Sequence, residues 1–242
     1  MIITIIPARY NSSRLPGKML LKINNKSIIQ RTYEQSKKSK VLNRVIIATD
    51  DPKIVEESSK INAECILISD NCLNGTERIA KAYKKINQKY KYILNIQGDE
   101  PFIKPEHIDY LIKNHKEGSV CSTLHYKIKN KNDLHNKGIV KIITNKNNQV
   151  IYGSRAMIPS SKNGESINSI NYYAHIGIFL FDSEFIFKFL EHENTPAQLS
   201  EDLEWLKIIE MGYKLYSYEV DEPEIGINTQ EEFNYLSKKY SK

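Results

Sequence analysis

Four short apolar runs rich in β-branched residues, Ile2 to Ile6, Val45 to Thr49, Ala63 to Ile68 and Tyr92 to Ile96, recur through the first part of the chain, with helical spacing between them. Parallel strands cannot be joined by tight hairpins, because each connection needs a crossover long enough for a helix. The alternation therefore predicts an α/β fold with a mainly parallel, doubly wound sheet. The intervening helices are marked at their starts. Ser27 with Gln30 makes a capping box, after which Ile28, Ile29 and Tyr33 recur to about Ser39. Pro52 and Pro105 stand in first helical turns, and the turn Asp70 to Arg78 opens into a helix through about Asn87.

After His125 the pattern loosens. Val140 to Thr144, Gln149 to Tyr152 and Ala174 to Phe181 read as strands, and Ser160 to Asn171 as a polar loop. Helices are expected near Ser183 to His192 and Glu201 to Met211, and Thr229 with Glu232 caps a last one. The 242 residues suffice for one substantial core. We expect a single domain, roughly 1–125 forming the doubly wound part and 126–242 a smaller substrate lobe.

The first strand delivers the most telling chemistry. Pro7 is expected to end it at Ile6, and the loop that follows carries Arg9, Arg14 and Lys18. Three cations at the carboxyl end of a strand in an open α/β sheet ask for a polyphosphate. A P-loop is excluded because Ser12 and Met19 stand where Gly and Ser or Thr are required, and the ten glycines never fall two apart as a dinucleotide fingerprint demands. This loop must hold phosphate chiefly through side chains, the alternative being a solvated basic loop. The stretch Ile96-Gln97-Gly98-Asp99-Glu100-Pro101 follows another strand to the same edge. An acidic residue beside a cationic phosphate loop fits a hard cation, Mg²⁺, bridging carboxylate and phosphate, and the alternative is a surface turn before a helix.

The net charge of +6 is carried largely by scattered Lys, which argues against a nucleic-acid partner. Cys65, Cys72 and Cys121 are odd in number and lack metal or redox spacing. With no signal pattern and no long apolar run, we expect no membrane association and a cytoplasmic location.

The runs Ile6 to Lys18, Ala48 to Asp51, Asn74 to Arg78, Gln97 to Pro101, Val140 to Ile143, Tyr152 to Arg155, His175 to Ile178 and Gly226 to Thr229 together resemble the CMP-Kdo synthetases, the 3-deoxy-manno-octulosonate (Kdo) cytidylyltransferases. The resemblance covers nearly the whole chain in the family's order. It implies a nucleotide-diphospho-sugar transferase-like fold and a reaction in which the anomeric hydroxyl of a 2-keto sugar acid attacks the α-phosphorus of CTP. The products are a CMP-sugar and pyrophosphate for surface polysaccharide synthesis. It further implies that Arg9, Lys18 and Asp99 are catalytic; that Ala8, Arg9, Arg14, Lys18, Asn74, Gly75, Thr76, Arg78 and Gln97 bind nucleotide; and that Gln97, Arg155, His175, Glu204 and Trp205 bind the acceptor. Mg²⁺ would be held by Asp99 and Asn228. A homodimer through the second half is also implied, and the apolar strand Ala174 to Phe181 suits such a contact.

Departures fall mainly in the acceptor half. Asn228 replaces the family's second metal-binding Asp, Phe179 replaces a Tyr, Trp205 a Gln, and Asn74 a Ser. Trp205 also fits a core role beside Leu203, Leu206 and Ile209. Two alternatives follow: the same transfer onto another acceptor, a nonulosonate or phosphonate, or a non-catalytic nucleotide-binding paralogue.

Overall fold

The computed structural model describes residues 1–12, 14–223 and 225–240, and the chain divides into two compact units. One unit takes Met1–Ile112 and Pro223–Lys242, the other Lys113–Glu222.

In the first unit, β1 (Ile2–Ala8) leads through a 3₁₀ turn at Lys18–Leu20 and a small antiparallel ribbon, β2 (Lys22–Ile23) and β3 (Lys26–Ser27), into α1 (Ile28–Lys37). Then come β4 (Arg44–Thr49), α2 (Pro52–Lys60), β5 (Glu64–Leu67), α3 (Gly75–Lys84), β6 (Tyr92–Ile96) and α4 (Pro105–Asn114). Helix starts follow their local signals. Asp51 accepts from Lys53 N at 2.8 Å and Asn74 from Glu77 N at 2.9 Å. Ser27 accepts from Gln30 N at 3.2 Å, yet the Gln30 amide turns to Glu34, so only half of the expected capping box forms.

The strands of this unit run parallel in the order β6-β1-β4-β5. Ile3, Ile5, Ile6, Ile46, Ile47, Ile93 and Leu94 are fully buried, as continuous apolar strands in a two-sided parallel sheet must be. Strand order reverses at β1: β4 and β5 lie to one side and β6 to the other. The carboxyl ends of β1 and β6 thus flank a switch point, where open α/β sheets bind ligands. Pro7 does not end β1. It pairs with Ala48 of β4 beyond Ile5, the last residue in register with β6, and an extended proline is compatible with a strand there.

The second unit contains β7 (Cys121–Lys127), β8 (Lys141–Thr144), β9 (Val150–Ser154), β10 (Tyr173–Asp182), α5 (Phe185–Glu191), α6 (Pro196–Glu201), α7 (Leu206–Glu210) and β11 (Leu215–Val220). Strand β11 is parallel to β7, whereas β10 is antiparallel to β7 and β8, and β8 to β9. Of the helix expected over Glu201 to Met211 only α7 forms; Glu201 instead ends α6, where Asp202 adopts a left-handed φ of 52°. The chain then returns to the first unit and ends in α8 (Gln230–Tyr240). Both halves of its capping box form, Glu232 N donating to Thr229 Oγ1 at 3.2 Å and Thr229 N to the Glu232 carboxylate at 2.8 Å. Among the described residues no helix is long and apolar enough to cross a membrane.

Candidate active site

Gly17, at φ 64°, turns the loop after β1 so that Lys18 enters the 3₁₀ turn with its side chain buried. Its ammonium donates to the Asp99 carboxylate at 2.5 Å and to the Ile227 carbonyl at 3.0 Å. Ile227 N in turn donates to the Asp99 carbonyl at 2.9 Å. The β1 loop, the β6 loop and the returning C-terminal segment therefore meet on one buried cation. Close approach of the loops needs Gly98, since a Cβ there would sit 2.9 Å from the Pro7 carbonyl oxygen. Beside Asp99, burial, reinforced by the Asp99 carboxylate, pushes the Glu100 carboxyl up to about 8 even though Lys18 opposes the shift.

Around this centre, Arg14 Nη2 donates to Asn228 Oδ1 at 3.3 Å. Arg9 is exposed and makes none of the polar contacts found among the described residues. Gly75, at the start of α3, packs against the Gln97 side chain and Pro7, each 3.3 Å from where a Cβ would be. The Gln97 amide donates to Asn95 Oδ1 at 3.1 Å. Asp50, at the carboxyl end of β4, accepts from Tyr10 N at 3.0 Å and from Arg78 Nη2 at 2.9 Å. Arg78 is 5% exposed, and its Nη1 has no hydrogen-bond partner among the described residues. A buried unpaired donor costs about 1–3 kcal/mol, so this nitrogen marks where an acceptor atom of a ligand would be stabilising. Ala8 and Thr76 are buried close by in sequence, at the end of β1 and in the first turn of α3.

In the second unit, His175 N in β10 donates to the Val140 carbonyl at 2.8 Å, and its Nε2 lies 2.9 Å from Thr123 Oγ1. The Thr123 hydroxyl donates to the Ile178 carbonyl at 2.6 Å, so Nε2–H donates to the hydroxyl and Nδ1 keeps its lone pair. Trp205 is 5% exposed, with its ring 5.1 Å from the His175 ring, and the Phe179 ring lies tilted at 5.0 Å from the same imidazole. Arg155 follows β9 and spends its guanidinium on carbonyls of Glu201, Lys137 and Asp202 at 2.8–3.1 Å. Glu204 is half-buried just before Trp205.

Burial holds His175 down at about 3, with His125 adding to the shift, and burial alone holds His125 at about 4. Both imidazoles are neutral in the folded protein near pH 7. Their folded pKa values lie below the unfolded value of about 6.5, so the unfolded chain binds more protons as pH falls. Stability is expected to be retained above that value and lost from about pH 6.5 down toward pH 4. Urea unfolding across this range checks the loss, and His125→Gln should flatten it; an unchanged slope in the variant would refute the neutral assignment.

The sequence matches a family model described as cytidylyltransferase over residues 3–221. The chain belongs to the cytidylyltransferase family. It is 41% identical over 233 residues to the mitochondrial 3-deoxy-manno-octulosonate cytidylyltransferase of Arabidopsis thaliana, covering 96% of this chain and 80% of that one. To the 3-deoxy-manno-octulosonate cytidylyltransferase of Fusobacterium nucleatum it is 40% identical over 241 residues, 97% of this chain and 96% of the relative. A solved structure of CMP:2-keto-3-deoxy-manno-octonic acid synthetase complexed with CTP superposes with a TM-score of 0.91 at 27% identity, over 98% of this chain and 97% of that one. The 4-diphosphocytidyl-2C-methyl-D-erythritol synthase of Anaerococcus prevotii, at 14% identity and a TM-score of 0.66, shares the fold.

A divalent metal is the common cofactor of such nucleotidyltransferases, and the donor set of this cytidylyltransferase accommodates one. Among the described residues no group of three or more His, Cys, Asp and Glu could hold an ion on its own. A small hard cation nevertheless takes one or two carboxylates and completes its shell with phosphate and water. Asp99 would offer a carboxylate, which Lys18 neutralises at 2.5 Å, and Asn228 a neutral oxygen, which accepts from Arg14. Two residues of the site escaped sequence reading. Asp50 lay in the resembling run Ala48 to Asp51 without an assigned role, and nothing in its spacing showed that it links Tyr10 to Arg78. The Ile227 carbonyl is a main-chain group, which no sequence pattern reveals.

Proposed function

We propose that this cytidylyltransferase couples CTP to Kdo, giving CMP-Kdo and pyrophosphate for surface polysaccharide synthesis. The observation that carries the reading is the buried Lys18–Asp99 pair at the switch point, with Arg14 on Asn228 beside it. The anomeric oxygen of the acceptor bonds to the α-phosphorus as the bond to the bridging oxygen breaks and pyrophosphate leaves. Little covalent chemistry falls to the protein, so positioning and charge neutralisation dominate. Arg9, Arg14 and Lys18 hold the triphosphate and offset charge on the departing pyrophosphate. Ala8, Asn74, Gly75, Thr76, Arg78 and Gln97 frame the nucleotide, the free Nη1 of Arg78 being a donor ready for it.

Asp99 and Asn228 would hold Mg²⁺, which would neutralise phosphate charge and lower the pKa of the attacking hydroxyl. Arg155 donates from Nε, Nη1 and Nη2 to carbonyls and has Nη2 3.5 Å from the Asp202 carboxylate, so one N–H on each Nη is left to meet the acceptor's carboxylate. The neutral His175 offers the Nδ1 lone pair to an acceptor hydroxyl, and Gln97 and Glu204 add polar contacts. Phe179 and Trp205 are 8% and 5% exposed and pack at a tilt against the His175 ring, so their departure from the family pattern is a change of ring packing. That favours Kdo over a changed acceptor. The reading includes a cytoplasmic homodimer. Strand Ala174 to Phe181 is largely buried within its unit, paired with β7 and, at Ala174, with β8, whereas Ile151 on β9 is exposed.

Pyrophosphate release from CTP and Mg²⁺ is expected with Kdo, and Asp99→Asn should lower kcat by at least about 10²-fold, the scale of removing one preorganised charge contact. Release with another sugar acid and none with Kdo would overturn the acceptor; an unaffected Asp99→Asn would overturn the site.

A further inference from the structure

Lys141 in β8 has no solvent exposure, yet its ammonium has no carboxylate partner among the described residues. It donates instead to three main-chain carbonyls, those of Asn136 at 2.9 Å, Ile139 at 2.6 Å and Arg155 at 2.7 Å. An ammonium has three donors and no acceptor, so this cage uses it completely. The arrangement is that of a small cation bound by carbonyl oxygens, with the cation attached to a side chain. Burying a charge in this way gains little stability over an apolar residue of the same volume, so geometry is the better reason to keep it.

What the cage organises is specific. Arg155, whose carbonyl caps Lys141, sends its guanidinium to the Lys137, Glu201 and Asp202 carbonyls and receives the Glu201 carboxylate on its own N–H at 2.9 Å. Lys137 lies within the turn that supplies the other two cage carbonyls. Next to Lys141, the Val140 carbonyl accepts from His175 N. Lys141 itself is in register with Ala174 of β10 and Ser154 of β9. Arg155 and His175 are thus both anchored to one strand step.

We propose that Lys141 is a positioning residue for the transfer: a tethered cation whose three carbonyl bonds hold the Arg155 turn and the 136–139 turn in place for the acceptor. This rests on the assignment of Arg155 and His175 to the acceptor. The test uses the full-length protein with Lys141→Met, which keeps the volume, and Lys141→Ala, which leaves the cage open. Lys141→Met is expected to raise KM for Kdo about tenfold or more and leave KM for CTP within about twofold, since misplaced acceptor groups affect one substrate. Hydrogen exchange should quicken at 136–139 and 153–156. In Lys141→Ala, ammonium chloride should restore that protection and part of the acceptor affinity, while tetramethylammonium chloride at equal ionic strength should not. Both KM values rising together, unchanged exchange, or indifference to ammonium would overturn the proposal. Wild-type turnover with Kdo is read first. Its absence would remove the proposed activity, and the exchange response would still decide whether the cage acts as described.

Discussion

Lys18→Met is expected to lower kcat/KM for CTP by about 10³-fold, a larger loss than any other single replacement in the phosphate loop, because one buried ammonium serves both charge and architecture. Lys18 is the group on which the β1 loop, Asp99 and the Ile227 carbonyl converge. Removing it leaves the Asp99 carboxylate without its partner and, on the proposed function, withdraws a cation from the triphosphate. Breaking a buried pair on one side costs about 3–5 kcal/mol, and the low end applies because the Asp99 side chain keeps 20% of its exposure. Thermal unfolding and steady-state kinetics separate the two effects. The double variant Lys18→Met/Asp99→Asn should be more stable than Lys18→Met alone, since it no longer holds an unpaired charge, and should remain inactive. Retention of kcat/KM within about tenfold in Lys18→Met would sink the assignment.

Gly153→Ala is expected to be among the most destabilising small substitutions in the second unit. An added methyl would lie 2.1 Å from Trp205 Cη2 and 2.6 Å from Cζ2. The indole is 5% exposed and backed by the His175 ring, so it cannot simply swing aside. Overpacking costs about 1–3 kcal/mol in ordinary cases, and a contact this close belongs at the upper end. For a chain of this size that corresponds to a fall in Tm of about 6–12 °C. Combining Gly153→Ala with Trp205→Leu should recover much of the loss, because the two residues share one space. A Tm for Gly153→Ala within about 2 °C of wild type would show that the ring has another place to go.

The first unit was largely legible in the sequence because its strands are continuous apolar runs and its helices begin at residues whose side chains cap them. Ser27, Asp51, Asn74 and Thr229 all accept the backbone hydrogen bonds that their types and positions predict. The second unit was less so. Strands β7 and β11 went unread because buried Ser122, Thr123, His125 and Ser217 interrupt their apolar pattern; Ser122 is satisfied by His115 just before the strand, and Thr123, His125 and Ser217 by partners in another strand. The break at Asp202 was equally silent, since a non-glycine left-handed residue carries no strong signal. The spacing alone brought Arg9, Lys18 and Asp99 to one sheet edge, but the Lys18–Asp99 bond itself needed coordinates. Likewise Trp205 fitted either a ligand or a core role until Gly153 was seen to make room for its ring.

The return of the chain to the first unit at Pro223 bears on when, during synthesis, the site can exist. A ribosome that has released only the residues up to Glu222 has already made Lys18, Asp99, Arg14 and Arg78. It has not yet supplied the Ile227 carbonyl that takes the second bond of Lys18, nor the Asn228 oxygen that receives Arg14. A loop made early is therefore completed by a segment made some two hundred residues later, so the nascent protein keeps Lys18 and Arg14 only partly paired until residues 227 and 228 have joined the fold.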